Sequence, residues 1–557
     1  MEGKGSPGQG AFVGLTGAAL IVVVGLPFLF ILLQAIFPQI GSGSFAQPFA
    51  QVLPVLTESE LPRETINSLI LGLGTVALSA LIALPLATVR GLYRLPGAAV
   101  WDVVFLVPFM IPPYIATMGW VMTLQPHGYL QQLTGVNLAG FLFSVPGVIV
   151  VLTMNIFPVV YFALSRTFET IGTRYGDVSR VFGATPARTF WRVTLPLAAP
   201  GLAGSLLLVF AMAIEEYGTP AVLGARFGFK VLVTGIDGSI ADWPVDLPKA
   251  ALLALVLVAL SSGAFLLQHR VLAQHDFTTS GAKPQPHEKR PMGRWTMPVL
   301  AGFAAVAVLP TGIPLMAILA TALSRTISGG LTTTNMGWQN FAAILGDTSG
   351  AVQALLTSLG LGLTTALLAG ALGASAAYAG RGAGRGRAVI NVLANLPNAA
   401  PGVVVALGLI LVWNQPALLV TPYNTLGILL LAYVCILLPQ PVRYAAAAFR
   451  QIGLSLEDAA RVSGATATRA AWRILLPLIR PSLLSAMLLV FAVASRELVA
   501  SLLVVPVGRK TIATFIWRQF DQGSVGVGMA MAFVTICITT LLPLMVLVAA
   551  RRTMTDI

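Results

Sequence analysis

Phe190-Trp191-Arg192-Val193-Thr194-Leu195-Pro196 recurs 281 positions later as Ala471-Trp472-Arg473-Ile474-Leu475-Leu476-Pro477. The same spacing pairs further residues that a chance alignment of apolar sequence would not match, among them Pro158 with Pro439, Asp177 with Asp458, Gly183-Ala184-Thr185 with Gly464-Ala465-Thr466, and Phe210 with Phe491. Nearer the start of each half the spacing drifts slightly, so that Pro108 and Pro112 match Pro397 and Pro401. The chain is therefore an internal duplication, and each half is expected to fold in the same way.

Composition excludes most classes of protein. Only 10% of the 557 residues are Asp, Glu, Lys or Arg, whereas an ordinary soluble domain carries about 25%. Apolar residues make up 56%, and the mean hydropathy is +0.86. A soluble enzyme, a disordered protein and a disulfide-rich scaffold are thereby excluded, and an all-α polytopic membrane protein remains.

Twelve stretches are long and apolar enough to cross a bilayer, which takes about 20 residues. Six precede and six follow a polar segment at 271–294, which we interpret as a cytoplasmic linker between an N-terminal half, 1–270, and a C-terminal half, 295–557. Two parallel six-helix repeats imply a pseudo-two-fold axis along the membrane normal, with a pathway between the halves. The predicted spans are 11–37, 65–89, 99–124, 144–165, 197–223, 248–269, 296–323, 352–379, 389–413, 425–447, 478–505 and 527–550.

The distribution of Lys and Arg predicts the orientation of the chain. With both termini in the cytoplasm, 24 of the 33 basic residues fall in inside segments, as expected from the excess of positive charge in cytoplasmic loops. This distribution accounts for the net charge of +13 without a nucleic-acid partner, since no basic stripe is interleaved with aromatic residues. Cys435 and Cys537 lie in apolar runs without metal-ligand spacing, so no metal site is expected and both are predicted to be core residues.

A polar loop between the fourth and fifth helix of each half is the best-matched segment. In the second copy, Glu457-Asp458-Ala459-Ala460 favours a short helix with its carboxylates at the positive N-terminal end. Gly464 then permits a sharp turn, and a second amphipathic segment runs to Leu476-Pro477, where proline suits the first turn of the next spanning helix. The pattern predicts a short helix across the cytoplasmic mouth that can dock into a groove on a soluble partner.

This loop resembles the "EAA" loop of the permease subunits of binding-protein-dependent ABC importers. The spacing is D-A-A-x-x-x-G, then Ile474 ten residues on, then Leu-Pro, with Asp for the usual Glu. The first copy is degenerate, because Val178 and Ser179 replace the two alanines. The candidate coupling residues are Asp177, Gly183, Ala184, Leu195, Pro196, Glu457, Asp458, Ala459, Ala460, Gly464, Ala465, Leu476 and Pro477. The alternative is a loop that only connects helices, which would not require the same Asp, Gly and Trp-Arg twice.

The resemblance covers essentially the whole chain. It implies the type I (MetI-like) permease fold, a bacterial inner (cytoplasmic) membrane location, and a coupling helix that sits in a cleft of an ATP-hydrolysing subunit. No G-x-x-x-x-G-K-[ST] loop occurs in the chain, so it is expected to be a transport subunit that hydrolyses no ATP and carries no cofactor. ATP and Mg would be bound by two separate ABC ATPase subunits, one for each loop, and a periplasmic solute-binding protein would deliver the substrate.

Acidic residues lie deep in apolar sequence after each loop. They occur in Glu215-Glu216-Tyr217 and in Arg496-Glu497, and Glu216 and Glu497 are themselves 281 positions apart. A charge at the bilayer centre costs roughly 2.5–3.5 kcal/mol on insertion scales, so such residues face a partner or a wet cavity. Two compatible interpretations remain open, namely a pair of carboxylates flanking the translocation pathway, or an internal salt bridge such as Arg496 with Glu215 or Glu216.

The substrate is less well defined by the sequence than the class of transporter. The fused two-half arrangement, with EEYGTPAVLG from Glu215 and DWPVDLP from Asp242, is most similar to the ferric-iron permease family. Permeases for 2-aminoethylphosphonate, thiamine and polyamines share the fold and remain alternatives. Ferric iron is the first expectation, although a permease is a poor indicator of a ligand that the binding protein selects.

The resemblance implies alternating access, in which ATP-driven closure of the cytoplasmic subunits pulls the coupling helices together. Periplasmic loops around 38–63, 224–247, 324–351 and 506–526 would dock the binding protein. A twelve-helix, ion-coupled secondary transporter is the alternative from another class, and it would need no partner subunits. A membrane-embedded enzyme is disfavoured, because the four histidines do not cluster with carboxylates inside the spans.

Overall fold

The computed structural model describes residues 7–57, 60–273, 289–346, 349–381, 384–415, 418–452 and 455–555. Within these ranges the side chains of residues 7–9, 273, 455, 457, 458, 461, 467, 468 and 541–555 are not described. The described residues form helices and turns with two isolated β-bridges and no strand, which confirms the all-α prediction.

The helices of the first half follow the predicted spans, with breaks inside some of them. They are α1 (Gly10–Ile36), α2 (Glu60–Leu92), α3 (Ala98–Met110), α4 (Pro113–Leu124), α5 (Val145–Ile156), α6 (Pro158–Ile171), α7 (Arg174–Val181), α8 (Pro186–Glu215), α9 (Gly218–Leu223), α10 (Leu232–Ala241) and α11 (Leu247–Ala273). Shorter helices lie at Val52–Thr57, Tyr129–Thr134 and Ala139–Leu142.

The second half repeats this order of elements. Its helices are α12 (Gly293–Leu323), α13 (Ala351–Ala379), α14 (Arg385–Asn395), α15 (Gly402–Trp413), α16 (Leu426–Leu437), α17 (Pro439–Ile452), α18 (Ser455–Val462), α19 (Ala471–Ala494), α20 (Val499–Val504), α21 (Ile512–Asp521) and α22 (Val525–Thr555). Short helices lie at Gln339–Leu345 and Ala467–Ala470.

Seven of the described helices are long and apolar enough to cross a membrane, and up to eleven spans result if each of four bent pairs counts as one. The bends are 94° after α3, 47° after α5, 118° after the segment that begins with α14, and 43° after α16. Four predicted spans are therefore not single straight helices, namely 99–124, 144–165, 389–413 and 425–447. The last predicted span, 527–550, falls in α22, whose apolar described part is Val525–Thr540.

Prolines cause the two sharp breaks. Ile111 and Ala400, each of which precedes a proline, have extended backbones with ψ of 127° and 119°, as expected where the proline ring excludes the helical conformation. In the first half the buried Asn155 amide donates hydrogen bonds to the carbonyl oxygens of Pro108 and Ile111, over 2.8 and 3.1 Å. These bonds tie α5 to the break between α3 and α4.

The chain forms two compact units that exchange helices between the sequence halves. One unit contains residues 1–57, 236–258 and 339–557, and the other contains 58–235 and 259–338. The first helix of each half thus belongs to the unit built mainly from the other half. The sequence boundaries 1–270, 271–294 and 295–557 describe the repeat along the chain and stay a prediction.

Close backbone contacts hold both exchanged helices. In one unit, a Cβ on Gly408 of α15 would lie 2.7 Å from the Pro27 carbonyl oxygen of α1. In the other, a Cβ on Gly119 of α4 would lie 2.9 Å from the Pro314 carbonyl oxygen of α12. Only glycine permits this approach at either position. Cys435 lies in the apolar core of the first of these units, as predicted, and Cys537 is half-buried.

Candidate functional site

The first elbow, residues 174–196, is a short helix followed by a tight turn. Gly183 follows α7 with φ of +80°, a conformation that glycine adopts without steric cost. The Ala184 N–H then donates to the Ser179 carbonyl oxygen over 3.0 Å, which closes the helix end in a Schellman arrangement. The sequence therefore specifies the turn locally, without help from tertiary contacts.

The second elbow, residues 455–477, has the same geometry. Gly464 follows α18 with φ of +83°, and the Ala465 N–H donates to the Ala460 carbonyl oxygen over 2.9 Å. Ala459 is exposed and Ala460 is buried, whereas the side chains of Glu457 and Asp458 lie outside the described residues.

A second short helix follows each glycine and leads into a spanning helix. The Thr185 and Thr466 side chains accept hydrogen bonds from the N–H groups of Arg188 and Arg469, both over 3.3 Å, and so cap these helices. A π-helical stretch then connects to the span, at Phe190–Thr194 and at Ala471–Leu475. Leu195-Pro196 and Leu476-Pro477 form the first turn of the regular helix beyond, as the sequence predicts.

Large apolar side chains are exposed at the turns of both elbows. Val181 and Phe182 are each 85% exposed, and Val462 is 90% exposed. Trp191 and Trp472, which are equivalent in the repeat, are 64% and 67% exposed. Such exposure on each copy of a duplicated turn is typical of a protein-interaction surface. The sequence signal is a valine two positions before each turn glycine, Val181 and Val462, which lies outside the motif.

The linker contacts the first elbow through Arg290 and the preceding helix α6 through Lys289. Arg290 forms an ion pair with Asp177 over 2.5 Å, and its backbone bonds to Leu92 and Arg94 over 3.0 and 2.9 Å. Lys289 forms an ion pair with Glu169 of α6 over 2.7 Å. The sequence predicted these cations only as inside charge on a flexible tether, because contacts between distant segments leave no local signal.

The two equivalent glutamates after the elbows cap short helices. Glu216 accepts hydrogen bonds from the N–H groups of Gly218 and Thr219, both over 2.8 Å, at the start of α9. Glu497 accepts from Ala500 and Ser501 over 3.1 and 3.2 Å at the start of α20. Carboxylates in this position satisfy orphan N–H groups and oppose the positive end of the helix dipole.

The other candidate pathway residues lie beside these caps. Glu215 ends α8, with one carboxylate oxygen buried, and Tyr217 is buried in the following turn. Arg496 lies in the turn between α19 and α20. Contact with a substrate and the internal salt bridge therefore stay predictions, and helix capping is a role that the sequence did not indicate.

Comparison with known families assigns the chain. Residues 83–274 and 366–555 each match the family described as "Binding-protein-dependent transport system inner membrane component". The two matches each contain one elbow, which confirms the predicted duplication and the predicted permease class. The chain is thus an inner-membrane transport subunit.

Proteins from several organisms are similar over much of the chain. The ferric transport system permease protein FbpB of Actinobacillus pleuropneumoniae is 26% identical over 93% of this chain and 76% of its own length. The Fe(3+)-transport system permease protein FbpB 2 of Haemophilus influenzae is 21% identical over 90% of this chain and 91% of its own. A probable molybdenum ABC transporter permease protein of Haloferax volcanii is 29% identical over 43% of this chain and 86% of its own. The repeated elbows, the duplicated helical halves and the paired family match together show that this chain belongs to the family of binding-protein-dependent transport system inner membrane components.

Proposed function

We propose that this chain is the permease of an ABC importer that carries ferric iron into the cytoplasm, powered by two separate ATPase subunits. The observation that carries the proposal is the pair of elbows, which repeat the same helix, left-handed glycine and capped helix at equivalent places. A turn that only connects helices has no need for an exposed valine at the same place in both copies, Val181 and Val462.

The ATPase subunits would dock on the exposed apolar residues of the elbows. Val181 and Phe182 in the first elbow and Val462 in the second present apolar surface whose burial against a partner is favourable, at about 25 cal/mol per Å². One subunit for each elbow follows from the duplication. ATP and Mg are bound and used on those subunits, since the chain contains no phosphate-binding loop sequence.

Each elbow continues directly into a spanning helix, α8 or α19. Movement of a docked ATPase would therefore be transmitted along that helix to the capped junctions at Glu216 and Glu497. This arrangement supports alternating access, with both termini and both elbows in the cytoplasm and a periplasmic binding protein at the opposite face.

Ferric iron is the proposed substrate because the relatives with iron in their names match most of this chain. Relatives named for molybdenum and sulfate transport match 43% and 41% of it. Ferric iron is the transported substrate in this proposal, so the permease needs no permanent iron site.

Uptake of radioactive ferric iron into proteoliposomes tests the proposal. We expect uptake that requires the cognate binding protein, the cognate ATPase and ATP together, and that stops with an ATPase variant unable to hydrolyse ATP. Uptake that persists without any ATPase would contradict the importer mechanism in favour of a secondary transporter. ATP-dependent uptake of molybdate or sulfate, with none of iron, would contradict only the substrate.

A further inference from the structure

An ion-pair cluster joins the ends of three helices in the first half. Arg90 of α2 contacts Asp102 of α3 over 2.7 Å and Glu169 of α6 over 2.6 Å. Lys289 of the linker completes the cluster by contacting Glu169 over 2.7 Å. Two cations and two carboxylates balance each other, so this place has no charge left for a ligand.

The second half carries different charges at the equivalent positions. Asn391 of α14 replaces Asp102, at the spacing that also pairs Pro108 with Pro397. Arg450 of α17 replaces Glu169, at the spacing of 281 that pairs the elbows. The second half therefore has no carboxylate at either position, and a cation stands in place of Glu169.

A cavity of about 570 Å³ lies at this place, between the end of α13 and the helices α14 and α17. Arg381, Arg443, Arg450, Asn391 and Asn395 are among its lining residues, and none of the lining residues is acidic. No described residue forms an ion pair with Arg443 or Arg450.

The walls of the cavity are held in place by other contacts. The Arg381 guanidinium lies 5.0 Å from the centre of the Phe449 ring, which orients it by a cation–π interaction. The Asn391 amide donates to the Gly380 carbonyl oxygen over 3.0 Å, which ties α14 to the end of α13. These contacts position Arg381 and Asn391, and the exposed side chains of Arg443 and Arg450 line the same space.

We propose that this arginine cavity binds a phosphate-bearing anion. Guanidinium groups present paired N–H donors that match phosphate oxygens, and asparagine amides can add further donors. The volume falls within the range of about 300–1,000 Å³ that is usual for small-ligand sites. The ligand is either the headgroup of an anionic phospholipid, which the position at the ends of spanning helices favours, or free phosphate from the cytoplasm.

This inference does not depend on the identity of the transported solute. Only the assignment of the cavity to the cytoplasmic side rests on the proposed function. A failure of iron uptake would leave the anion site untouched, and the tests below need no ATPase or binding protein.

Native mass spectrometry of the full chain tests the lipid source. The protein is equilibrated with equal amounts of phosphatidylglycerol and phosphatidylcholine, and Arg443→Gln/Arg450→Gln is compared with Arg385→Gln/Arg387→Gln. The control pair loses the same charge from the first turn of α14, outside the cavity. We expect the cavity variant to retain about tenfold less phosphatidylglycerol, as loss of charged hydrogen bonds predicts, and the control to match the wild type.

Calorimetric titration of inorganic phosphate into the protein in neutral detergent tests the free-anion source. Phosphate binding that the cavity variant loses and the control keeps would support the site with phosphate as its ligand. If the two variants do not differ for either phosphatidylglycerol or phosphate, the proposal is overturned.

Arginine modification of the wild-type chain gives an answer without any variant that might fold poorly. Phenylglyoxal labelling is mapped by mass spectrometry with and without each anion. Protection of Arg443 and Arg450, with Arg385 and Arg387 labelled as before, is the expected result. Equal labelling of all four arginines under every condition would contradict the site.

Discussion

Gly183 and Gly464 hold the elbows in a backbone conformation that other residues adopt only at a cost. No described atom lies within 4 Å of a Cβ built on either glycine, so a larger side chain would strain the backbone without meeting a described neighbour. The strain is roughly 1–2 kcal/mol for a residue in the left-handed region. That amount can reshape an exposed turn while leaving the membrane-embedded helices intact.

We therefore expect Gly183→Val and Gly464→Val to reach the membrane in normal amounts but to lose most ATP-dependent uptake. The matched control is Gly263→Val in α11, where glycine also has open space but no left-handed backbone. ATPase activity stimulated by the loaded binding protein is the measurement. Normal stimulation and uptake in both elbow variants would count against a coupling role for the turns.

Glu216 and Glu497 allow a test that separates capping from substrate contact. Removal of an N-terminal cap costs about 0.5–2 kcal/mol, so Glu216→Ala and Glu497→Ala should lower the melting temperature in detergent. Glutamine keeps one acceptor oxygen and should lower it less. Unchanged melting temperatures with strongly reduced uptake in the glutamine variants would instead indicate carboxylates that act on the pathway.

At the scale of elements, the exchange of first helices between the two units depends on two glycine contacts. Gly408 lies against Pro27, and Gly119 lies against Pro314, each at a distance that leaves no room for a side chain.

Leucine at either position should separate the helix from its partner or strain both. Overpacking costs about 1–3 kcal/mol, and we expect Gly119→Leu and Gly408→Leu to lower the melting temperature and the yield of monodisperse protein. Gly302→Leu in α12 is the control, because no atom of the described residues lies within 4 Å of a Cβ built there. If Gly302→Leu lowers the melting temperature as much as Gly119→Leu and Gly408→Leu, the close glycine contacts do not account for the loss of stability.

Much of this architecture could be predicted from the sequence, because hydropathy and turn chemistry act locally. The spans, the turn glycines and the duplication all follow from residues that are near neighbours or that repeat at a fixed spacing. Hydropathy predicts continuous spans across Pro112 and Pro401, because the average hydropathy does not change at a proline. The breaks there therefore leave no signal in a hydropathy pattern. The helix exchange and the contact of Arg290 with Asp177 join segments far apart in sequence, and no local pattern indicates them.

At the scale of the whole molecule, we propose that two equivalent elbows receive force from two separate ATPase subunits. The threonine caps, the glycine turns and the exposed valine before each turn recur in both halves, although the first copy of the motif is degenerate. Among the described ion pairs, the linker contacts the first elbow through Arg290 and Asp177 and contacts α6 through Lys289 and Glu169.

Photo-crosslinking from single cysteines tests this claim most directly. The native cysteines, Cys435 and Cys537, are first replaced. A single cysteine is then introduced by Val181→Cys, Val462→Cys or Val507→Cys and labelled with benzophenone. These valines are 85%, 90% and 90% exposed, respectively. On irradiation of the assembled transporter in membranes, we predict a crosslink to the ATPase subunit from positions 181 and 462 and none from 507. An ATPase crosslink from position 507, or from neither elbow, would contradict the account.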